Sequence, residues 1–301
     1  MTTIAPPPPA PPAESAPPPL TPGGRSALRV VLVVVAAVLV AGTVVSLGVA
    51  AWGLSTLRVV ADEKSLPKDM RALIVDTGDT PAAVRLTTDR DATEPRASMR
   101  IVNSPRGADQ TLSVTQESGR TRLTVSGDGS QFMDWGRVGE LTVTLPLELA
   151  RRLSVTVQQD DGVLLAQADV DELVARNTDG AVVLSGNARR VEIRSQDGSI
   201  FAREPISVTE SFDAQVVDGE VSVDFKDAAP RKIDIVSVDG DIAISLPNQG
   251  PYLVRASGDS TRIRVPETND PARAASEVTL RSNDGTVTVS TLSSRPDHGR
   301  R

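Results

Sequence analysis

Cysteine is absent from all 301 residues, and the single histidine, His298, stands in a polar C-terminal stretch. The first absence excludes disulfides, thiol nucleophiles and thiolate metal sites. The second removes the most common general base from any folded core. Rings are scarce too: four Phe, two Trp and one Tyr make up 2% of the chain. Globular cores of this size use several large rings to fill space, so a thinner, aliphatic interior is expected. No catalytic, cofactor-binding or metal-ligating residue stands out, and an enzyme is not expected.

Charge of one sign is also lacking where a nucleic-acid partner would need it. The formal net charge is -7. Before Arg58 the only charges are Glu14, Arg25 and Arg29, which leaves 30 basic and 38 acidic side chains in the remainder, a net of -8. Phosphate neutralisation requires a basic face, so no nucleic-acid binding is expected.

What is abundant at the start is proline, with ten in residues 1–24, including the run Pro6-Pro7-Pro8-Pro9. Such runs favour solvated polyproline II and pack no core. Residues 1–27 are therefore expected to be a disordered proline-rich tail, acting as an extended spacer. From Val30 to Leu57, 28 consecutive residues carry no charge and are dense in Val, Leu and Ala. About 20 such residues span the hydrocarbon core of a bilayer, so residues 28–57 read as a transmembrane helix and juxtamembrane turn. The run is longer than a signal-peptide core and its leader is proline-rich, which favours an uncleaved anchor. Trp52 near its far end suits the membrane interface.

Orientation is ambiguous by charge, with Arg25 and Arg29 on one side and Arg58, Lys64, Lys68 and Arg71 on the other. A long domain translocates largely regardless of its charge. The expectation is a single-pass plasma-membrane protein with a cytoplasmic N-terminus and an extracytoplasmic C-terminal domain.

In that domain the dipeptide Asp-Gly recurs at 161–162, 179–180, 197–198, 218–219, 239–240 and 284–285, in steps of 18, 18, 21, 21 and 45. The last step is about two periods, and a reversed Gly258-Asp259 falls where a slipped copy of the same turn would lie. A period near 20 is a solenoid signature. Short alternating runs follow each dipeptide, such as Asp241-Ile242-Ala243-Ile244-Ser245-Leu246, and read as half-buried strands. A second turn and a second strand, such as Val191-Glu192-Ile193-Arg194, complete each period. The expected fold is all-β: a parallel β-helix or solenoid of 18–21-residue coils over residues 151–292. Stacked coils with a narrow interior use Val, Ile, Leu and Ala, which accounts for the missing rings.

Stacked aspartates admit a calcium reading, but the short glycine-dense nonapeptide of calcium-binding rolls is absent. Turn chemistry, with residues that tolerate positive φ, is the preferred account. Arg151-Arg152, Arg189-Arg190 and Arg231-Lys232 recur about two coils apart, with acidic Asp169-Val170-Asp171-Glu172 between the first two pairs. Alternating signs favour surface ion pairs over a strip for an anionic polymer. Residues 58–150 are β-like but irregular, suiting first coils and a cap. Residues 293–301 read as a disordered tail. The Phe132–Trp135 cluster reads as a cap contact.

The run Leu141-Thr142-Val143-Thr144-Leu145-Pro146, then Leu153-Ser154-Val155-Thr156-Val157, then serial Asp-Gly coils, resembles the DUF4097 family of adhesin-type β-strand-repeat proteins of the bacterial envelope. The anchor-plus-repeat layout is similar to its actinobacterial members. The resemblance covers roughly residues 70–292 and brings no catalytic motif with it. The slipped turn and the Pro266–Pro271 insertion depart from the pattern and imply irregular final coils.

Function is expected to lie in contact. The leading expectation is a non-enzymatic, membrane-anchored surface module for adhesion or envelope interaction, its partners the bilayer and an envelope polymer or surface protein. An envelope sensor signalling through the proline-rich tail is the alternative. A carbohydrate-active β-helix is disfavoured, because carboxylates at repeated turns are not a poised catalytic pair.

Overall fold

A computed structural model describes residues 58–103, 111–126 and 139–292. The expected tail, the expected transmembrane helix over 28–57, Trp52, the Phe132–Trp135 cluster and the C-terminal tail with His298 lie outside the described residues. No helix within them is long and apolar enough to cross a membrane.

The regular part of the fold begins with three long strands, β8 (Ser154–Gln167), β9 (Val170–Ser185) and β10 (Asn187–Ala202). Each runs up one wall, turns at its Asp-Gly corner and runs on along the opposite wall. They pair in parallel and in register, so Asp161 meets Asp179 and Asp179 meets Asp197. The next two coils break at the corner into β11 (Ser207–Asp218) with β12 (Val221–Asp224), and β13 (Lys232–Asp239) with β14 (Ile242–Leu246). Their aspartates continue the column, Asp197 to Asp218 to Asp239. The sequence steps of 18 therefore become coils whose second turn is two residues, Ala168 and Asp169, or one, Gly186. In the first 21-residue step two of the three extra residues enlarge that turn, between Ala202 and Ser207, and the third is a bulge just after Val208; in the second step the enlarged turn lies between Asp224 and Lys232.

Alternation places the core. On the first wall Val155, Val157, Leu173, Ala175, Val191, Ile193, Ile233 and Ile235 point inward, and on the second wall Leu164, Val182, Ile200, Val221, Ile242 and Ile244 do; all are at most 4% exposed. They form one continuous aliphatic cluster, and successive coils are joined by parallel ladders along both walls. The rings are not spread evenly. Phe212 and Phe225 are fully buried in the same coil and meet edge to face with centroids 5.3 Å apart, while Tyr252 is buried near the last coil, its hydroxyl donating to the Pro247 carbonyl.

At both ends the order in space departs from the order in sequence. β2 (Ala72–Gly78) and β3 (Ala82–Asp89) make a full coil stacked on β8. On their other side lie β6 (Arg120–Ser126) and β7 (Gly139–Pro146), which come later in the chain. β7 returns to β8 through α1 (Leu147–Ala150), a single turn with Leu149 and Ala150 buried. Antiparallel strands close this end: β5 (Thr111–Glu117) on β6, and β4 (Arg96–Asn103) on β7 with β1 (Arg58–Ser65) beyond it. The region expected as irregular first coils plus a cap thus contains one full coil, β2 and β3, with the later strands β6 and β7 stacked on its two walls in reversed order.

The opposite end repeats the device. β15 (Leu253–Ser257) and β16 (Ser260–Arg264) form the outermost coil, with Gly258-Asp259 at its corner. The later strands β17 (Glu277–Asp284) and β18 (Thr286–Thr291) fill the slot between that coil and β13/β14. Gly258-Asp259 is a copy of the corner, as its spacing implies, but the long step is not two stacked periods: Asp239 lies directly against Asp284. A ladder records which strand reaches the slot, and the Pro266–Pro271 insertion supplies the chain length to return to it.

Candidate functional site: a groove along the Asp-Gly corner

The corner is built by glycine. A Cβ on Gly180 would stand 1.9 Å from the Gly162 carbonyl oxygen, and one on Gly219 would stand 1.9 Å from that of Gly198. Gly180 has φ +124°, but Gly198 carries no such φ and its Cβ would still meet the Gly180 oxygen at 2.1 Å. Close approach of successive coils is therefore the general requirement, and positive φ an addition to it. The partner aspartates have no positive φ, which corrects the expectation that both residues are there for turn conformation.

Those aspartates form an exposed row through Asp161, Asp179, Asp197, Asp218, Asp239 and Asp284. Burial of its carboxyl, then the neighbouring Asp218 and Asp284, push Asp239 above the ordinary carboxylate range. Among the described residues no group of three such side chains is placed to hold a metal ion; the row runs in line and does not converge.

Three further rows precede the aspartates. Two residues before each Asp the side chain points inward, giving the buried series Gln159, Asn177, Ser195, Val216, Ser237 and Ser282, polar at every place but Val216. At the C-terminal end these hydroxyls are used: Ser282 donates to the Gly240 carbonyl at 2.9 Å and Ser237 to that of Gly219 at 3.5 Å. At Gln159, Asn177 and Ser195 the side-chain polar atoms have no hydrogen-bond partner. Flanking them on the outside are Gln158, Arg176 and Arg194, and then Asp160, Thr178 and Gln196. Together these nine residues and Val217 line an open groove of about 450 Å³ across three coils. Asp160 is also held above its ordinary range, first by its hydrogen bond with Asp79 and then by burial.

The opposite edge carries the ion pairs. Arg189 binds Asp171 in a fork, Nε to Oδ1 at 2.7 Å and Nη2 to Oδ2 at 2.8 Å, and also reaches Glu210, which accepts from Arg190 as well. A bulge sets Thr209 and Glu210 against the single residue Arg189. These two arginines hold the Glu210 carboxyl at about 2, and the Arg189 bond lowers Asp171. The structural reading of the arginine pairs holds at Arg189-Arg190. Arg151 meets Glu148, at 3.8 Å, and Lys232 its neighbour Asp234, at 3.4 Å. Lys232 shares a register column with Arg190 through Ser211, whereas that column reaches Ser154 and not Arg151-Arg152, so two of the three pairs stack on one edge.

A separate apolar gap at the second turn, lined by Leu86, Leu184, Gly186 and Ile206, has a volume of about 20 Å³. Space of that size fits a water at most. The corner groove is the larger opening with converging polar groups, and the three rows that make it were not singled out from the sequence. Their signal is present there: polar residues at inward positions two before five of the six aspartates, with Val216 before Asp218 the exception.

Comparison with known proteins bears on the fold. No curated protein matches the chain significantly. Among solved structures, a candidate adhesin from Parabacteroides merdae overlays with a TM-score of 0.43 at 12% identity, covering 78% of this chain and 97% of its own. One from Parabacteroides distasonis gives 0.42 at 11% identity, with coverage of 78% and 97%. A candidate cell adhesion protein from Clostridium sporogenes gives 0.35 at 9%, covering 78% and 100%. Overlays this loose carry no argument about what this chain binds. Residues 139–290 match the family described as Toastrack DUF4097. That stretch takes in β7, all the Asp-Gly corners and the returning coil, just over half of the chain, and the protein belongs to the Toastrack DUF4097 family.

Proposed function

We propose that this protein is a non-enzymatic surface module, anchored in the plasma membrane by residues 28–57, whose β-solenoid works outside the cell by adhesion or contact with the envelope. The observation that carries the reading is the repetition of surface rows. Side chains of one kind recur at the same register in successive coils, so the solenoid offers an extended, periodic face and not a single enclosed pocket. A periodic face suits a periodic or extended partner, because each coil adds a similar small contribution and multivalency multiplies them. The 28-residue uncharged run at the N-terminal side of the domain supports a tether.

The test is protease accessibility in intact cells with a tag on residues 1–24, combined with attachment of the purified full chain to cells and isolated cell walls. Digestion of the domain with a protected tag, together with saturable attachment, supports the proposal. A protected domain reverses the orientation and sinks it.

A further inference from the structure

Arg176 and Arg194 are register partners on the outer face of the ladder, which places them about 4.8 Å apart along the axis. Like charges directly opposite each other on a sheet are unfavourable. Arg194 is offset by Glu192 at 3.1 Å, whereas Arg176 makes no ion pair among the described residues. Beside them Gln159, Asn177 and Ser195 are 4%, 8% and 7% exposed, and five of their side-chain nitrogen and oxygen atoms meet no hydrogen-bond partner. In the same inward row Ser237 and Ser282 are bonded to backbone and Val216 is apolar, so within this row the deficit falls on the three coils that supply the polar lining of the groove; elsewhere Thr77, Thr121 and Ser276 also hold hydroxyls without a partner. A guanidinium without an ion pair, Arg176, stacked on a second one, Arg194, and amides in want of partners coincide at one opening.

We propose that this groove binds an anionic, polyhydroxylated polymer: a chain of sugar or polyol units carrying carboxylate or phosphate groups. The assignment rests on the contact-module reading above and narrows it to one surface and one class of ligand. Laid along the solenoid axis, the polymer places an anionic group between Arg176 and Arg194, whose planar forks match carboxylate and phosphate oxygens. Its hydroxyls meet amide and hydroxyl groups that both donate and accept. The Gln159 and Asn177 amides lie just beneath the groove surface, and a change of rotamer turns them toward the ligand, a common adjustment on binding. An apolar peptide is a poorer occupant, since the exposed apolar contribution to the groove is Val217 at its end.

The full chain, in detergent or reconstituted in bilayer discs, is titrated with polygalacturonate, a glycerol-phosphate polymer and uncharged dextran, and its attachment to cells and isolated walls is measured in parallel. Binding is expected for at least one anionic polymer, at least tenfold weaker for dextran, and weakened by salt. Binding of polygalacturonate alone or of the phosphate polymer alone identifies the anion. The double variant Arg176→Gln/Arg194→Gln, altered only at exposed positions, should lose at least tenfold in affinity. Asn177→Leu should lose affinity while melting at an unchanged or higher temperature. If the wild type binds none of the three polymers, or all variants bind undiminished, the groove proposal is overturned. Attachment to cells that survives that result leaves the surface-module reading in place on another face, and its loss removes both.

Discussion

Gly180 lies so close beneath Gly162 that a single added carbon would stand 1.9 Å from the Gly162 carbonyl oxygen. The stack is built on this contact, repeated coil after coil. Gly180→Ala must therefore push two coils apart and adopt a φ of +124°, and a loss of about 3 kcal/mol or more is expected from overpacking and backbone strain together. Gly78→Ala is the control: its φ is +51° but nothing lies within 4 Å of the added carbon, so a loss of about 1 kcal/mol is expected. Denaturant unfolding of both variants decides whether close approach or conformation dominates.

The inward polar row makes an internal comparison possible. Ser282→Ala removes a 2.9 Å bond to the Gly240 carbonyl and should destabilise by about 1 kcal/mol. Ser195→Ala removes a buried hydroxyl without a partner and should be neutral or stabilising by up to about 1 kcal/mol. Thermal melts of two Ser→Ala changes at one structural position, with opposite signs, would establish that the deficit is local to the groove.

Acid should separate two kinds of carboxylate. Glu210 is held at about 2 by Arg190 and Arg189, below its ordinary 4.5, so the unfolded chain takes up its proton first as pH falls. Its stabilisation is present above 4.5 and is lost as pH falls through about 2. Asp213 is raised above 3.8, by burial first and then by Asp234 and Glu192, so the folded chain holds its proton more tightly. Stability from that source is present below 3.8 and is lost as pH rises through the folded value. Melting curves between pH 2 and 7 should show Glu210→Gln below wild type at neutral pH, with the gap closing in strong acid. Asp213→Asn should lie above wild type at neutral pH, with the gap closing below about 3.8.

Much of this fold can be read in the sequence because its information is local. A corner needs Asp-Gly, a wall needs alternation, and both repeat in the string, so Asp161 through Asp239 fall into one row as their spacing implies. The coil order at the ends is not local. Nothing in Glu277–Asp284 says that it inserts between Lys232–Asp239 and Leu253–Ser257 rather than adding beyond the latter, since either place offers the same alternation. The groove was hidden for a different reason. Gln159, Asn177 and Ser195 are chemically unlike, and their common role appears only when the repeats are aligned on the corner and the inward position two residues earlier is compared.

Removal of residues 277–301 takes away the strands on which both walls of the outermost coil depend. The coil formed by Leu253–Arg264 should then lose its amide protection in hydrogen exchange and become the first site of proteolysis, while Gly162 to Gly198 remain protected. Retained protection of Leu253–Ser257 in the truncated chain would show that it can pair directly with Lys232–Asp239.

The returning strand pair also gives the molecule a sense of time. During synthesis Leu253–Arg264 emerges before the strands it will rest against, and it has to wait, unpaired, until Glu277–Thr291 follows. Only then does the stack close. A chain interrupted anywhere in that interval leaves loose strand edges where proteases can grip, whereas one that has reached Thr291 tucks β17 and β18 inside. The arrival of Glu277–Thr291 is thus registered by the architecture itself, since two coils made earlier come to rest on it.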